Sequence, residues 1–204
     1  MNPLKSIGGT IIAGLVLALV IVFATMGNHM VAGISAQSII IWRHVLAGIT
    51  WIGRLYSFNF VQVPALGEAA ADEGGPGPAA ISKYVAPRAL AWFRWGALVT
   101  WLSGAAFLLH KGQLHNAFML GLNTDPINQY AMTIGVGAWL GTIMLFNVWV
   151  LIWPNQKKVL GMVEASAEEV AKAKNTAFLA SRSNTLMSIP MVMSMVGAGH
   201  GWFM

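Results

Sequence analysis

The chain has 204 residues, of which 56% are hydrophobic and only 9% charged. Soluble domains carry about 25% charged residues, so this composition excludes an ordinary soluble enzyme and a disordered chain alike. The net charge of +5 reads as the basic bias of membrane-protein loops and not as a nucleic-acid surface, and the lack of cysteine rules out disulfides, Fe–S clusters, thiolate metal sites and a covalently attached c-type heme.

Five apolar runs follow in chain order. The first, about 7–26, has no charge and is long enough for a hydrocarbon layer of about 30 Å. Lys5 before it and Ile34-Ser35-Ala36 after it give a signal-peptide alternative, outweighed by the length of the run. The second, about 38–63, contains Arg43, His44 and Arg54, and Pro64 is expected to end it. The third covers about 90–109. The fourth covers about 127–153, with Pro154 expected to close it, and the fifth covers about 183–203 with Pro190 expected to kink or break it. The expected fold class is all-α: a polytopic transmembrane helix bundle of five spans, forming a single transmembrane domain over 1–204 with cytoplasmic loops 64–89 and 154–182.

Lys and Arg set the orientation. Lys5, Lys83, Arg88, Arg94, Lys157, Lys158, Lys172, Lys174 and Arg182 fall on one face of this topology, Arg43 and Lys111 on the other. The expectation is N-terminus in the cytoplasm and C-terminus outside. Within the first inner loop, Gly67–Ala80 (GEAAADEGGPGPAA) reads as flexible, and Ile81–Ala91 as an interfacial helix leading into the third span. Residues Glu164–Arg182 read as a solvated helix, with a Ser166/Glu169 capping box and a Glu168–Lys172 pair.

All five histidines, His29, His44, His110, His115 and His200, fall on the outer side. Chance segregation at loops and interfaces explains this as well as a heme or metal site does. For the site reading, His44 and His200 are the candidate metal ligands, because both lie inside spans and a bundle holds b-type heme between imidazoles of different helices. Arg43 could hold a heme propionate or simply snorkel to the interface. Arg54 lies near mid-membrane on this reading, with no intramembrane carboxylate to neutralise it, and should face protein, a cofactor anion, a headgroup or another subunit. It shares a helix stripe with Arg43, Ala47, Thr50 and Val61, while His44, Gly48, Trp51, Leu55 and Gln62 form the neighbouring stripe. Methionines of the fifth span read as apolar filling, and small-residue pairs such as Gly137/Gly141 permit close helix approach.

Several stretches together resemble the urate oxidase N-terminal domain family. They are His44-Val45-Leu46-Ala47-Gly48-Ile49-Thr50-Trp51-Ile52-Gly53 continuing to Tyr56, Phe58 and Asn59; Trp92-Phe93-Arg94-Trp95 with Thr100-Trp101-Leu102-Ser103-Gly104; Thr142-Ile143-Met144, Asn147-Val148 and Pro154-Asn155-Gln156; and Asn184, Leu186 and Pro190. The resemblance implies a polytopic bacterial membrane protein, whose longer relatives carry a C-terminal cytochrome c domain and are linked to urate oxidation. This chain has no Cys-x-x-Cys-His, is shorter between the third and fourth spans, and has Ala89, Gly135 and Ser183 where the longer form is expected to have histidines. These departures weigh against urate oxidation by this chain alone.

Two functions follow as expectations. One is a redox protein passing electrons through heme b at the outer face, with His44 and His200 as axial ligands, His110 as the alternative second ligand, Arg43 on a propionate and Trp51 packing the macrocycle. The other is a non-catalytic accessory subunit of a respiratory or photosynthetic membrane complex. The expected partners are the lipid bilayer, other membrane subunits or a cytochrome c, and no nucleic acid.

Overall fold

The structure, a computed structural model, describes residues 2–26 and 35–201. Every regular element among them is helical and none is a strand. The chain divides into two compact units, Met1–Ile39 and Ile40–Met204. In the first, a short 3-10 turn Pro3–Lys5, capped by the Asn2 side chain, precedes helix α1, Ile7–Met26. Among the described residues, two stretches are long and apolar enough to cross a membrane: Ile7–Thr25 and Gln129–Val159.

The second unit is built on four long helical rods: α2 (Ala36–Ser57), of which the residues from Ile40 on belong here, α4 (Ala86–His110), α6 (Gln129–Phe146) and α8 (Ala167–His200). Shorter helices are α3 (Val63–Ala71), α5 (Leu114–Phe118) and α7 (Trp153–Val159). Pairwise contacts fix the directions. On α2 and α4, His44 meets Gly104 and Trp51 meets Gly96. On α4 and α6, Trp101 meets Thr142 and Trp95 meets Trp149. On α6 and α8, Gly137 meets Ser194 and Asn147 meets Asn184. On α2 with its continuation and α8, Tyr56 meets Ser188 and Asn59 meets Ser181. In each pair one number rises as the other falls, so the rods form an antiparallel four-helix ring.

Prolines do not end the rods as the sequence suggests. Pro64 and Pro154 lie inside continuous helical paths that run on to Ala71 and Val159. Each is preceded by a π-helical stretch, Phe58–Gln62 and Asn147–Ile152, and a third, Ile81–Val85, precedes Pro87. The residue just before each proline donates its N–H five residues back: Val63 to Phe58, Ala86 to Ile81 and Trp153 to Val148. A proline ring clashes with the carbonyl four residues earlier and has no N–H to give it. The wider π turn accommodates both defects without a break. The expected loop over Gly67–Ala80 likewise starts late, because the Ala69-Ala70-Ala71 run continues the helix to its end at Asp72.

Of the expectations for the start of the last rod the capping box holds, while the Glu168–Lys172 pair is not among the ion pairs of the described residues, where Lys158 pairs with Glu169 instead. Ser166 and Glu169 form the capping box, but the helix then runs unbroken for 34 residues through Pro190, so the solvated helix and the last apolar run are one element. The expected end of that run, at 202–203, lies outside the described residues.

The core gathers Trp51 and Leu55 of α2, Leu90, Phe93 and Ala97 of α4, Met144, Val148 and Ile152 of the α6 rod, and Ala180 and Met191 of α8. A second cluster of Leu108, Ala117, Ile134 and Ala198 closes the end that carries α5.

Candidate functional site

The stripe through His44, Gly48, Trp51 and Leu55 faces α4. Trp51 is 1% exposed and Leu55 is fully buried, while Arg43 and Arg54 on the neighbouring stripe are exposed. Small residues let the helices approach. A Cβ on Gly96 would stand 3.3 Å from the Trp51 backbone nitrogen, and one on Gly104 would stand 2.9 Å from Cε1 of His44. The His44 ring therefore occupies space that only glycine leaves open.

Its hydrogen bond then fixes the tautomer. Nδ1 lies 2.8 Å from the Thr100 carbonyl, which can only accept, so Nδ1 carries the proton and Nε2 of the neutral ring is a bare lone pair. The Ser103 hydroxyl lies 3.4 Å from the same Nδ1 and donates to the Val99 carbonyl at 2.6 Å. His200 is exposed at the end of α8, and its Nδ1 donates to the Val196 carbonyl at 2.9 Å, which again leaves Nε2 bare. His110 and His115 are exposed, with no side-chain hydrogen bond among the described residues. His29 lies outside the described residues.

The antiparallel register relates the two anchored histidines. Tyr56 Oη and Ser188 Oγ are 3.0 Å apart. His44 lies twelve residues before Tyr56 and His200 twelve residues after Ser188, so both stand about 18 Å from that contact, at one level of the bundle. His110 and His115 belong to the same end. No hydrogen bond among the described residues joins any two of these histidines, and no group of three or more His, Cys, Asp or Glu that could hold a metal ion occurs among them.

Trp51 sits two turns deeper on the His44 stripe, enclosed by the core, and its indole Nε1 is buried without a hydrogen-bond partner. Arg54 is exposed near the middle of the continuous helical path that runs from Ala36 past Pro64 to Ala71, and the register with α4 sets it near the level of Phe93 and Arg94.

Sequence reading picked out Asn59, Asn147 and Asn184 only as motif letters and missed what they do. Asn147 Nδ2 donates to Asn184 Oδ1 at 2.8 Å, and Asn184 Nδ2 to the Met144 carbonyl at 3.1 Å. Asn59 Nδ2 reaches Ser181 Oγ at 2.8 Å. Ser194 Oγ accepts from the Gly137 N–H at 2.9 Å and donates to the Thr133 carbonyl, inserting a hydroxyl into the α6 ladder. The signal available was the placement of amides within otherwise apolar runs, where an unpaired amide is costly and a partner on another helix is expected.

No curated protein and no solved structure matches this chain. Residues 114–204 match the family model described as Urate oxidase N-terminal, a stretch that holds His200, Thr142, Asn147 and Asn184 and begins after the His44 motif; over that stretch the chain is similar to the family its motifs resemble.

Proposed function

We propose that the chain is a multi-pass protein of the bacterial inner membrane that carries electrons through a b-type heme. Five spans, with the N-terminus inside, suit the alternating directions of α2, α4, α6 and α8 preceded by the apolar α1. The single observation that carries the heme reading is the pairing of His44 and His200: one level of the bundle, each with Nδ1 donated to a backbone carbonyl and Nε2 bare. Metal-ligating histidines are oriented by just such a carbonyl on the other ring nitrogen. In this reading His44 and His200 are the axial ligands and His110 the alternative to His200. Arg43, exposed one residue from His44, holds a propionate. Trp51 bounds the inner end of the site, and its unpartnered N–H is a donor for a bound group. The heme would supply one-electron exchange; the chain supplies ligand tautomer and orientation.

Absorption spectroscopy of the detergent-purified protein tests this. A Soret band with sharp reduced α and β bands is expected; His44→Ala and His200→Ala each abolish or shift them, and His115→Ala leaves them intact. A protein without a Soret band, even when expressed with ample heme supply, overturns the reading.

The second reading, an accessory subunit of a larger membrane complex, is favoured by a different observation. The motif residues Asn59, Thr142, Asn147 and Asn184 spend their side chains on interhelical hydrogen bonds, which is what a scaffold needs.

A further inference from the structure

The basic end of the bundle carries two cations, Arg94 and Lys157, that have no carboxylate partner among the described residues. Arg94 of α4 stacks its guanidinium 3.7 Å over the ring of Trp153, at the start of α7, and Lys157 Nζ lies 5.9 Å from the same ring. Arg94 Nε is buried without a hydrogen-bond partner. Among the described residues the ion pair found is Lys158–Glu169, and no carboxylate comes within 4.0 Å of Arg94 or Lys157. Stacking on Trp153 holds the planar fork of Arg94 in place and leaves its edge free for an oxyanion.

An apolar groove of about 430 Å³ lies between α4 and the α6 rod, lined by Leu98, Trp101, Thr142, Leu145, Phe146 and Trp149. Arg94, Leu98 and Trp101 follow one another at helical spacing on α4, as do Trp153, Trp149 and Leu145 on the facing rod. Trp95 packs edge-on against Trp149 at 5.4 Å. The stacked Arg94 and Trp153 therefore stand one helical turn from the groove's end, so that a ligand lying along this stripe meets charge at one end and apolar surface beyond it. That is the shape and polarity of a lipid molecule, and the uncompensated positive charge selects an anionic one.

We propose that this feature binds one anionic phospholipid, with the phosphate held by Arg94 and Lys157 beside Trp153 and an acyl chain lying along the groove towards Trp101. The proposal rests on the membrane reading. It adds a site at the end of the bundle opposite His44 and His200.

The test uses the full chain, extracted from membranes in detergent and exchanged against vesicles of equal parts phosphatidylglycerol and phosphatidylcholine with the same acyl chains. Bound lipid is counted by native mass spectrometry. The expected result is a preference for phosphatidylglycerol on the order of tenfold. The preference is lost in Arg94→Gln and in Lys157→Gln, the second variant leaving the Arg94–Trp153 stack in place, and is kept in Lys172→Gln/Lys174→Gln. Equal retention of the two lipids by the wild-type chain overturns the site. Equal loss in the Lys172/Lys174 variant overturns it too, because diffuse charge then explains the preference. Displacement of phosphatidylglycerol by millimolar inorganic phosphate shows a free-anion site and overturns the lipid assignment. The membrane reading is read separately: release of the wild-type chain from membranes by alkaline carbonate defeats that reading, whereas retention with no lipid preference defeats only the site.

Discussion

His44 and Gly104 are a matched pair, and the match is testable without any cofactor. Gly104→Ala adds a Cβ 2.9 Å from His44 Cε1, so the ring must shift and its bond to the Thr100 carbonyl lengthens or breaks. Overpacking of this kind costs about 1–3 kcal/mol. Gly141→Ala is the contrast: its Cβ would meet nothing within 4 Å, and the gain in helix propensity makes it neutral or stabilising by up to about 1 kcal/mol. Chemical unfolding in detergent, read by tryptophan fluorescence, separates the two. The Asn147–Asn184 bond calls for a double-mutant cycle with alanine at each position; a coupling of about 0.6–2 kcal/mol is expected, and a coupling of zero removes the amide pair from the account of bundle stability. What was legible at this scale was residue type. His44 stood out as a polar residue in an apolar run, Trp51 as its neighbour on the stripe, and the three asparagines only as letters of the motifs. Their partners did not, because Thr100 and Met144 act through backbone carbonyls that no side-chain pattern marks.

Helix ends were legible where a side chain makes them and illegible where backbone geometry does. The α8 start was readable because Ser166 and Glu169 satisfy each other's backbone N–H groups, at 3.2 Å and 2.9 Å. Pro64 and Pro154 misled because the π turn that absorbs a proline has no side-chain signature. Ser166→Ala should cost about 1 kcal/mol. The box should also be sensitive to acid. The hydrogen bond from the Ser166 backbone N–H, then Lys158, holds the Glu169 carboxyl below the usual glutamate range. A group whose pKa is lowered by folding stabilises the fold above its unfolded pKa, and that contribution is lost as pH falls through the folded value. Amide-exchange protection of the first turn of α8 should therefore be flat near neutrality and decline only in acid. Glu169→Gln keeps the box geometry but cannot titrate, so its profile should stay flat; an acid-dependent loss that persists in this variant would show that another group is responsible.

At the scale of the whole molecule, charge and direction agree. The antiparallel register puts Lys83, Arg88, Arg94, Lys157, Lys158, Lys172, Lys174 and Arg182 towards one end of the second unit and Arg43 and Lys111 towards the other. That separation was readable from the sequence because alternating apolar runs force it, whereas the order of the rods around the ring was not, since it depends on which small-residue faces meet. In a membrane the basic end stays in the cytoplasm. The orientation can be checked by single-cysteine labelling, which the cysteine-free chain permits directly. His115 is the outer probe, exposed on α5, and a better choice than Asn116, whose side chain bonds Gln113 and Asn123. Glu73 is the inner probe, exposed in the turn after α3, and better than Gly75, where an added Cβ would collide with Asp72. A membrane-impermeant maleimide applied to intact spheroplasts should label His115→Cys and spare Glu73→Cys until the membrane is permeabilised. Labelling of Glu73→Cys alone would invert the orientation, and labelling of both in intact spheroplasts would mean that α4, the rod between them, does not cross the bilayer.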